Sequence, residues 1–169
     1  MWPSVIIPTS ILMTPLLAEI LRTGHVRSVD GQRSIPPDSA ITSDVGLFLQ
    51  DLIRQRKPTT TLEVGLAYGI SGLFICEALR ECGGKRHIAI DPNQSTQWEG
   101  IGFNNLAQAG FCDLLELHES PSHLALPNLE ASRTRIEFAF IDGWRTFDHA
   151  LTDFFHIDRM LAVGGIGLR

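Results

Sequence analysis

An excess of basic charge is the first thing this sequence lacks. Its 169 residues carry 14 Lys and Arg against 19 Asp and Glu, a net charge of −5. A nucleic-acid footprint normally has the opposite balance on one face, so no nucleic-acid partner is expected. The one local basic run, Arg54-Gln55-Arg56-Lys57, falls at the end of a predicted helix, where it complements the helix dipole. Cysteine is scarce too. Cys76, Cys82 and Cys112 make an odd count with no metal-ligand spacing, which reads as reduced, buried or half-buried thiols of a cytoplasmic protein. Long apolar runs are also missing: Met1–Leu21 has no basic start, is broken by Pro3, Pro8 and Pro15, and reaches Glu19 well short of a membrane span. Neither export nor a membrane partner is expected. There is no internal repeat and no low-complexity segment. At 44% hydrophobic and 20% charged, the composition is that of one globular domain with a real core.

The pattern along the chain divides at about residue 42. Residues 1–13 read as an irregular arm. Thr14-Pro15 opens a helix as N-cap and N1, Leu16, Leu17, Ile20 and Leu21 give its apolar stripe, and Gly24 stops it. The polar stretch 25–42, with Asp30-Gly31 and Pro36-Pro37 as turn signals, reads as a loop crossing the sheet or covering a site. From Ser43 the spacing predicts a helix to Lys57 with Val45, Leu47, Phe48, Leu52 and Ile53 on its apolar face. Strands are expected at 60–64, 86–91, 113–118, 136–142 and 163–168, alternating with helices at 70–81, 101–109 and 146–161. The last of these helices is expected to turn Phe147, Leu151, Phe154, Phe155, Ile157 and Leu161 inwards. Residues 119–127 read as a loop and short helix, and 128–133 as a surface segment. Such alternation specifies an α/β fold, a doubly wound, mostly parallel sheet. In domain terms, 1–42 is an N-terminal arm, helix and loop, and 43–169 is the ligand-binding domain.

The chemistry concentrates at Thr61–Gly72, where an apolar strand enters a glycine-rich turn that opens a helix. Gly65 and Gly69 allow a tight turn and close ligand approach, and the helix start directs free N–H groups into the same space. A second strand ends at Asp91, where a ribose hydroxyl needs an acceptor. The spacing separates cofactors. A dinucleotide site wants G-x-G-x-x-G, and here Ala67 takes the second glycine's place while Glu63 precedes the turn. A carboxylate there repels phosphate and attracts an ammonium group. S-adenosylmethionine has the matching charge pattern, and an NAD-dependent oxidoreductase does not.

On these residues the chain resembles the class I S-adenosylmethionine-dependent methyltransferases, in particular the small-molecule O-methyltransferase branch that includes the catechol-type enzymes. The blocks that carry the likeness are Leu62–Gly72, Ile88–Pro92, Phe140-Ile141-Asp142-Gly143-Trp144 and Leu161–Leu168. The resemblance implies a Rossmann-like fold. It places Glu63, Gly65, Tyr68, Gly69 and Ser71 around the methionine end of the cofactor, Asp91 on the ribose and Ser120 near the adenine. Asp142 and Trp144 join the same cofactor set, Asp142 beside the cofactor's amino group or a metal.

The departures lie after Asp142. Catechol-type enzymes have a Lys three residues on, and nearer relatives a His, to deprotonate the acceptor hydroxyl; this chain has Arg145. A guanidinium does not exchange protons near neutral pH, so Arg145 is either an electrostatic catalyst or an exposed side chain. His149, one turn on, is the substitute base or a half-buried helix histidine. Metal-dependent members complete a magnesium site with a carboxylate pair after the fifth strand, and of those ligands only Asp142 is present here. The family sheet has seven strands and this sequence holds about five. The strand at 163–168 is therefore expected either to pair its free edge with another copy, giving a homo-oligomer, or to lose order beyond about Ala162. The expected function is methyl transfer to an oxygen of a small molecule. The alternative is a non-catalytic cofactor-binding or interaction domain that kept the fold.

Overall fold

The computed structural model describes residues 13–169, so the arm expected over 1–13 lies, but for Met13, outside the described residues. Helix α1 (Pro15–Thr23) starts and stops where its signals stand. Thr14 caps it, with its side chain accepting from the Leu17 N–H, and Gly24 closes it in the left-handed conformation. The stretch read as a plain loop contains a small antiparallel pair, β1 (Val26–Arg27) and β2 (Ser34–Ile35). Helix α2 (Ser43–Arg56) follows, capped by Thr42. The main elements then alternate: β3 (Thr60–Val64), α3 (Ile70–Glu81), β4 (Arg86–Ile90), α4 (Ile101–Gln108), β5 (Leu115–His118), α5 (Ser122–Ala131), β6 (Ile136–Ile141), α6 (Phe147–Met160) and β7 (Leu161–Leu168).

Five strands form one sheet in the order β5-β4-β3-β6-β7, every neighbouring pair parallel. The order reverses beside β3, and the turns leaving β3, β4 and β6 all open at the same sheet edge. Side-chain alternation along each strand divides the core in two. Leu62, Val64, Ile88, Ile90, Ala139 and Ile141 pack towards α5 and α6. On the opposite face, Phe138 and Phe140 meet Leu49 and Ile53 of α2 and Ile75 of α3, while Ala89 joins the cluster of α1, α3 and α4. This is the doubly wound Rossmann-like architecture that the alternation specifies.

Four expectations need correction. Residues 122–131 are one helix, with Pro127 inside it and Ala125, Leu126 and Leu129 buried against the sheet. Burial of that stripe outweighs the hydrogen bond lost at a single proline. Helix α6 faces the other way from its aromatic stripe: Phe147 is 81% exposed and Leu151, Phe154 and Phe155 are about half exposed, while Ala150, Asp153, Ile157 and Met160 are buried. A helix apolar on two sides offers periodicity two solutions, and the one taken buries Ala150, Ile157 and Met160. Helix α2 behaves likewise, burying Gly46, Leu49, Gln50 and Ile53 and leaving Val45 and Phe48 outside. Cys112 is exposed rather than buried, and all three cysteines are free thiols.

Strand β7 runs through Leu168 and pairs with β6, with a bulge between Leu161 and Ile166 around the left-handed Gly164, so order does not fail beyond Ala162. Its outer edge has no strand partner among the described residues. No helix among them is long and apolar enough to cross a membrane.

The contact between α2 and α3 rests on Gly46. A Cβ there would lie 2.3 Å from the ring of fully buried Phe74. Alanine gains roughly 1 kcal/mol of helix propensity and meets an overpacking cost of about 1–3 kcal/mol. Gly46→Ala is therefore expected to lower stability by up to about 2 kcal/mol, read as a lower urea midpoint at unchanged slope.

Candidate functional site

A cavity of about 800 Å³ opens where the carboxyl ends of β3, β4 and β6 meet. Its floor is set by a backbone contact. Gly65 turns the chain after β3 at φ +93, and a Cβ on it would lie 2.5 Å from the Asp142 carbonyl oxygen. The loop continues through Leu66 and Ala67 to Gly69, which has φ +78 and packs against Gly102 and Leu106 of α4. No side chain caps the start of α3, so its first N–H groups are left to face the cavity edge at Ile70 and Ser71. The stretch 38–41 and Trp98 close one side, with Trp98 edge-on to Tyr68 at 5.1 Å. The expectation that residues 25–42 cover a site holds for their last part.

Of the residues singled out by sequence, the cavity wall brings together Gly65, Tyr68, Ser71, Asp91, Asp142, Trp144, Arg145 and His149. Glu63, Gly69 and Ser120 stand off it. Glu63 is fully buried one layer behind: its Oε2 accepts from the Ser71 hydroxyl at 2.7 Å and its Oε1 lies 2.9 Å from His87 Nε2. It meets the cavity only through Ser71. Ser120 is replaced on the wall by its neighbours Pro121, Ser122 and His123.

Asp91 is 3% exposed and already engaged. Its Oδ2 accepts from the N–H groups of Leu66 at 3.1 Å and Ala67 at 2.7 Å and from the Gln94 amide at 3.2 Å, and its Oδ1 accepts from the Asn93 N–H. The carboxylate thus holds the loop in shape, with acceptor capacity left on Oδ1. It fixes Ala67 at φ +46, a conformation that costs a residue with a Cβ about 1 kcal/mol. Gln94 was not visible as a site residue. Its amide also donates to the Ala67 carbonyl at 2.8 Å, and only its position after Asp91-Pro92 hinted at a role.

At the other end of the wall, Asp142 is half-buried, and burial pushes its carboxyl above the ordinary range. The Arg145 guanidinium, 3.5 Å away, opposes that shift, and the negative Glu63 behind the loop adds to it. Arg145 itself is largely exposed. His149 Nδ1 lies 2.7 Å from the Thr146 hydroxyl, and Trp144 stacks on its ring at 5.6 Å. With Nδ1 engaged, Nε2 is the nitrogen left for a proton transfer, as acceptor or donor by tautomer. One turn further along α6, buried Asp153 has no hydrogen-bond partner for either carboxylate oxygen among the described residues, and burial raises its pKa.

The wall favours a cation that bears hydroxyls over a phosphate. Asp91 and Asp142 are its carboxylates near the turn, and Arg145, tied to Asp142, is the one Lys or Arg on the wall among the described residues. The open end of α3 suits a carboxylate. S-adenosylmethionine, with ammonium, carboxylate, sulfonium and ribose, fits this set. Magnesium does not: Asp142 faces a guanidinium, and among the described residues no three His, Cys, Asp or Glu gather as a metal group.

Gly65→Ala tests the floor. A side chain at that φ would collide with the Asp142 carbonyl just past β6, so a loss of about 2–4 kcal/mol is expected in chemical denaturation.

Comparison with known proteins agrees with the geometry. The profile of the methyltransferase domain family matches residues 62–168. Among solved structures, the SAH-bound methyltransferase PaMTH1 from Podospora anserina superposes with a TM-score of 0.71 at 19% identity, over 90% of this chain and 60% of that one. An O-methyltransferase from Bacillus cereus in complex with SAH gives 0.71 at 21% identity, over 94% and 64%. The O-methyltransferase TomG from Streptomyces achromogenes, in complex with SAM and involved in tomaymycin synthesis, gives 0.70 at 22%, over 91% and 64%. At these identities the likeness is one of fold, and the chain spans roughly three-fifths of the length of those proteins. No curated protein matches the chain. With more than half of its length matched, and the matched part supplying nearly the whole cavity wall, the chain belongs to the methyltransferase domain family.

Proposed function

We propose that this domain binds S-adenosylmethionine and passes its methyl group to an oxygen of a small molecule. The observation that carries the reading is the pairing of two strand-end carboxylates, Asp91 and Asp142, across one cavity beside the uncapped start of α3. When bound, the cofactor supplies an electrophilic methyl on a sulfonium, open to in-line displacement by the acceptor oxygen. The remaining acceptor capacity of Asp91 Oδ1 would take a ribose hydroxyl. Asp142, with Ser71, would hold the ammonium group, and the α3 N–H groups the carboxylate. Tyr68 and Trp98 wall off water on one side and Trp144 on the other, while Pro121–His123 offer the surface for the adenine. His149 Nε2 is the candidate base for the acceptor proton, and Arg145 the charge that would hold a developing oxyanion. Most of the rate would come from holding methyl and oxygen in line.

The second reading, a cofactor-binding or interaction domain without turnover, draws on Arg145. It is exposed and paired to Asp142, and offers no base where the relatives of the resemblance carry Lys or His. The free outer edge of β7 would serve pairing with a second copy in either case.

The deciding experiment is calorimetric titration with S-adenosylhomocysteine, followed by methyl transfer from labelled donor across a panel of hydroxylated acceptors. Micromolar binding that Asp91→Ala weakens about tenfold or more is expected. Transfer lost in His149→Ala, with that binding kept, would place the base. Binding without transfer to any acceptor would favour the second reading, and no binding by folded protein would end the first. The charge state of Asp142 adds a pH signature. A cation needs its ionised form, so below its raised pKa the affinity should fall by up to about tenfold per pH unit as pH drops. Asp142→Asn should flatten that slope.

A further inference from the structure

A polar chain runs through the core between the sheet and α3, where apolar side chains would be the default. Thr61 and Glu63 of β3 and His87 of β4 are fully buried on the same sheet face. Thr61 Oγ1 lies 2.9 Å from His87 Nδ1, His87 Nε2 lies 2.9 Å from Glu63 Oε1, and Ser71 Oγ donates to Glu63 Oε2 at 2.7 Å. Ser71, 7% exposed, is the end that reaches the cavity wall.

The direction of the protons at the Ser71 end of this chain follows from its middle. A carboxylate only accepts, so both of its neighbours must donate: the Ser71 hydroxyl to Oε2 and His87 Nε2–H to Oε1. Nδ1 at the far side of the ring then meets the Thr61 hydroxyl, which can accept or donate to suit it, so neither form of the ring alters the Ser71 end. Gly72 leaves the room, since a Cβ there would lie 2.9 Å from Glu63 Oε1. The Ser71 proton is thereby committed inward, and the hydroxyl turns only lone pairs to the cavity. A group so oriented accepts from a ligand's N–H donors and gives nothing to a carboxylate.

We infer that His87 is a positioning residue: through Glu63 it fixes Ser71 as a hydrogen-bond acceptor for the ammonium end of the bound ligand. The inference rests on the cofactor reading above. Removing the Nε2–H leaves Oε1 of a buried carboxylate unpaired, and its reorientation releases Ser71. The effect is confined to ligands that carry an amino-acid end.

The test is calorimetry with two probes, S-adenosylhomocysteine and 5′-methylthioadenosine, which lacks the amino-acid end. His87→Leu should weaken the first about tenfold and leave the second within about twofold. His87→Gln, which restores a donor near the Nε2 position, should recover most of the loss. In a Ser71→Ala background His87→Leu should have no further effect, because coupled residues are not additive. Equal loss for both probes, or a full effect retained without Ser71, would overturn the inference in favour of general damage. Should the leucine variant not fold, Thr61→Val carries the same comparison; it should weaken S-adenosylhomocysteine about threefold, and an unchanged affinity overturns the inference. Wild-type protein that takes up neither probe overturns the cofactor reading itself, and this inference with it.

Discussion

One carboxylate holds the functional end of this molecule together. Asp91 ends β4, yet three of its four hydrogen bonds go to the loop that leaves β3 and to Gln94, which reaches that loop too. Without it the buried N–H of Leu66 would have no acceptor, a cost of about 1–3 kcal/mol, and the half-buried N–H of Ala67 would lose its partner. With it the loop keeps a left-handed Ala67 and presents the open end of α3 to the cavity. The residue read from sequence as a ligand contact is therefore first a builder of the site, and its role towards a ribose uses what acceptor capacity is left.

The layer beneath follows the same logic. A parallel sheet covered on both faces is expected to be apolar throughout, and on the α5–α6 side its central strands are, with Arg86, Glu116 and His118 paired to one another towards the β5 edge. On the α3 side Thr61, Glu63 and His87 interrupt the apolar surface. Such a group is tolerated only when each donor finds an acceptor, and here each does. Glu63 thus contributes charge from behind the wall, where it adds to the raised pKa of Asp142.

Much of this was legible in the residue order. The strand–turn–helix at Thr61–Gly72, the Thr14-Pro15 start and the Gly24 stop are local signals whose physics needs no partner. The helix faces were not. Phe147, Leu151 and Phe154 look like a core stripe, and which side of α6 is inside depends on α5, a neighbour that periodicity does not contain. Helix α5 was hidden by Pro127, because a breaker outweighs a weak stripe until the sheet is there to bury it. At the site, sequence found the wall residues near the glycines and strand ends. It missed Gln94, and placed Glu63 one layer too far forward, since a spacing cannot distinguish facing a ligand from standing behind the residue that does.

The pair of rings at the mouth has an optical consequence. Of the three tryptophans in the chain, Trp98 and Trp144 both line the cavity, and Trp2 lies outside the described residues. Trp144 lies flat on the imidazole of His149, and Trp98 stands edge-on to Tyr68, the sole tyrosine. Both indoles among the described residues therefore emit from the wall of the candidate site. A ligand entering the cavity would meet both indoles, so their emission becomes a built-in gauge of what the cavity holds.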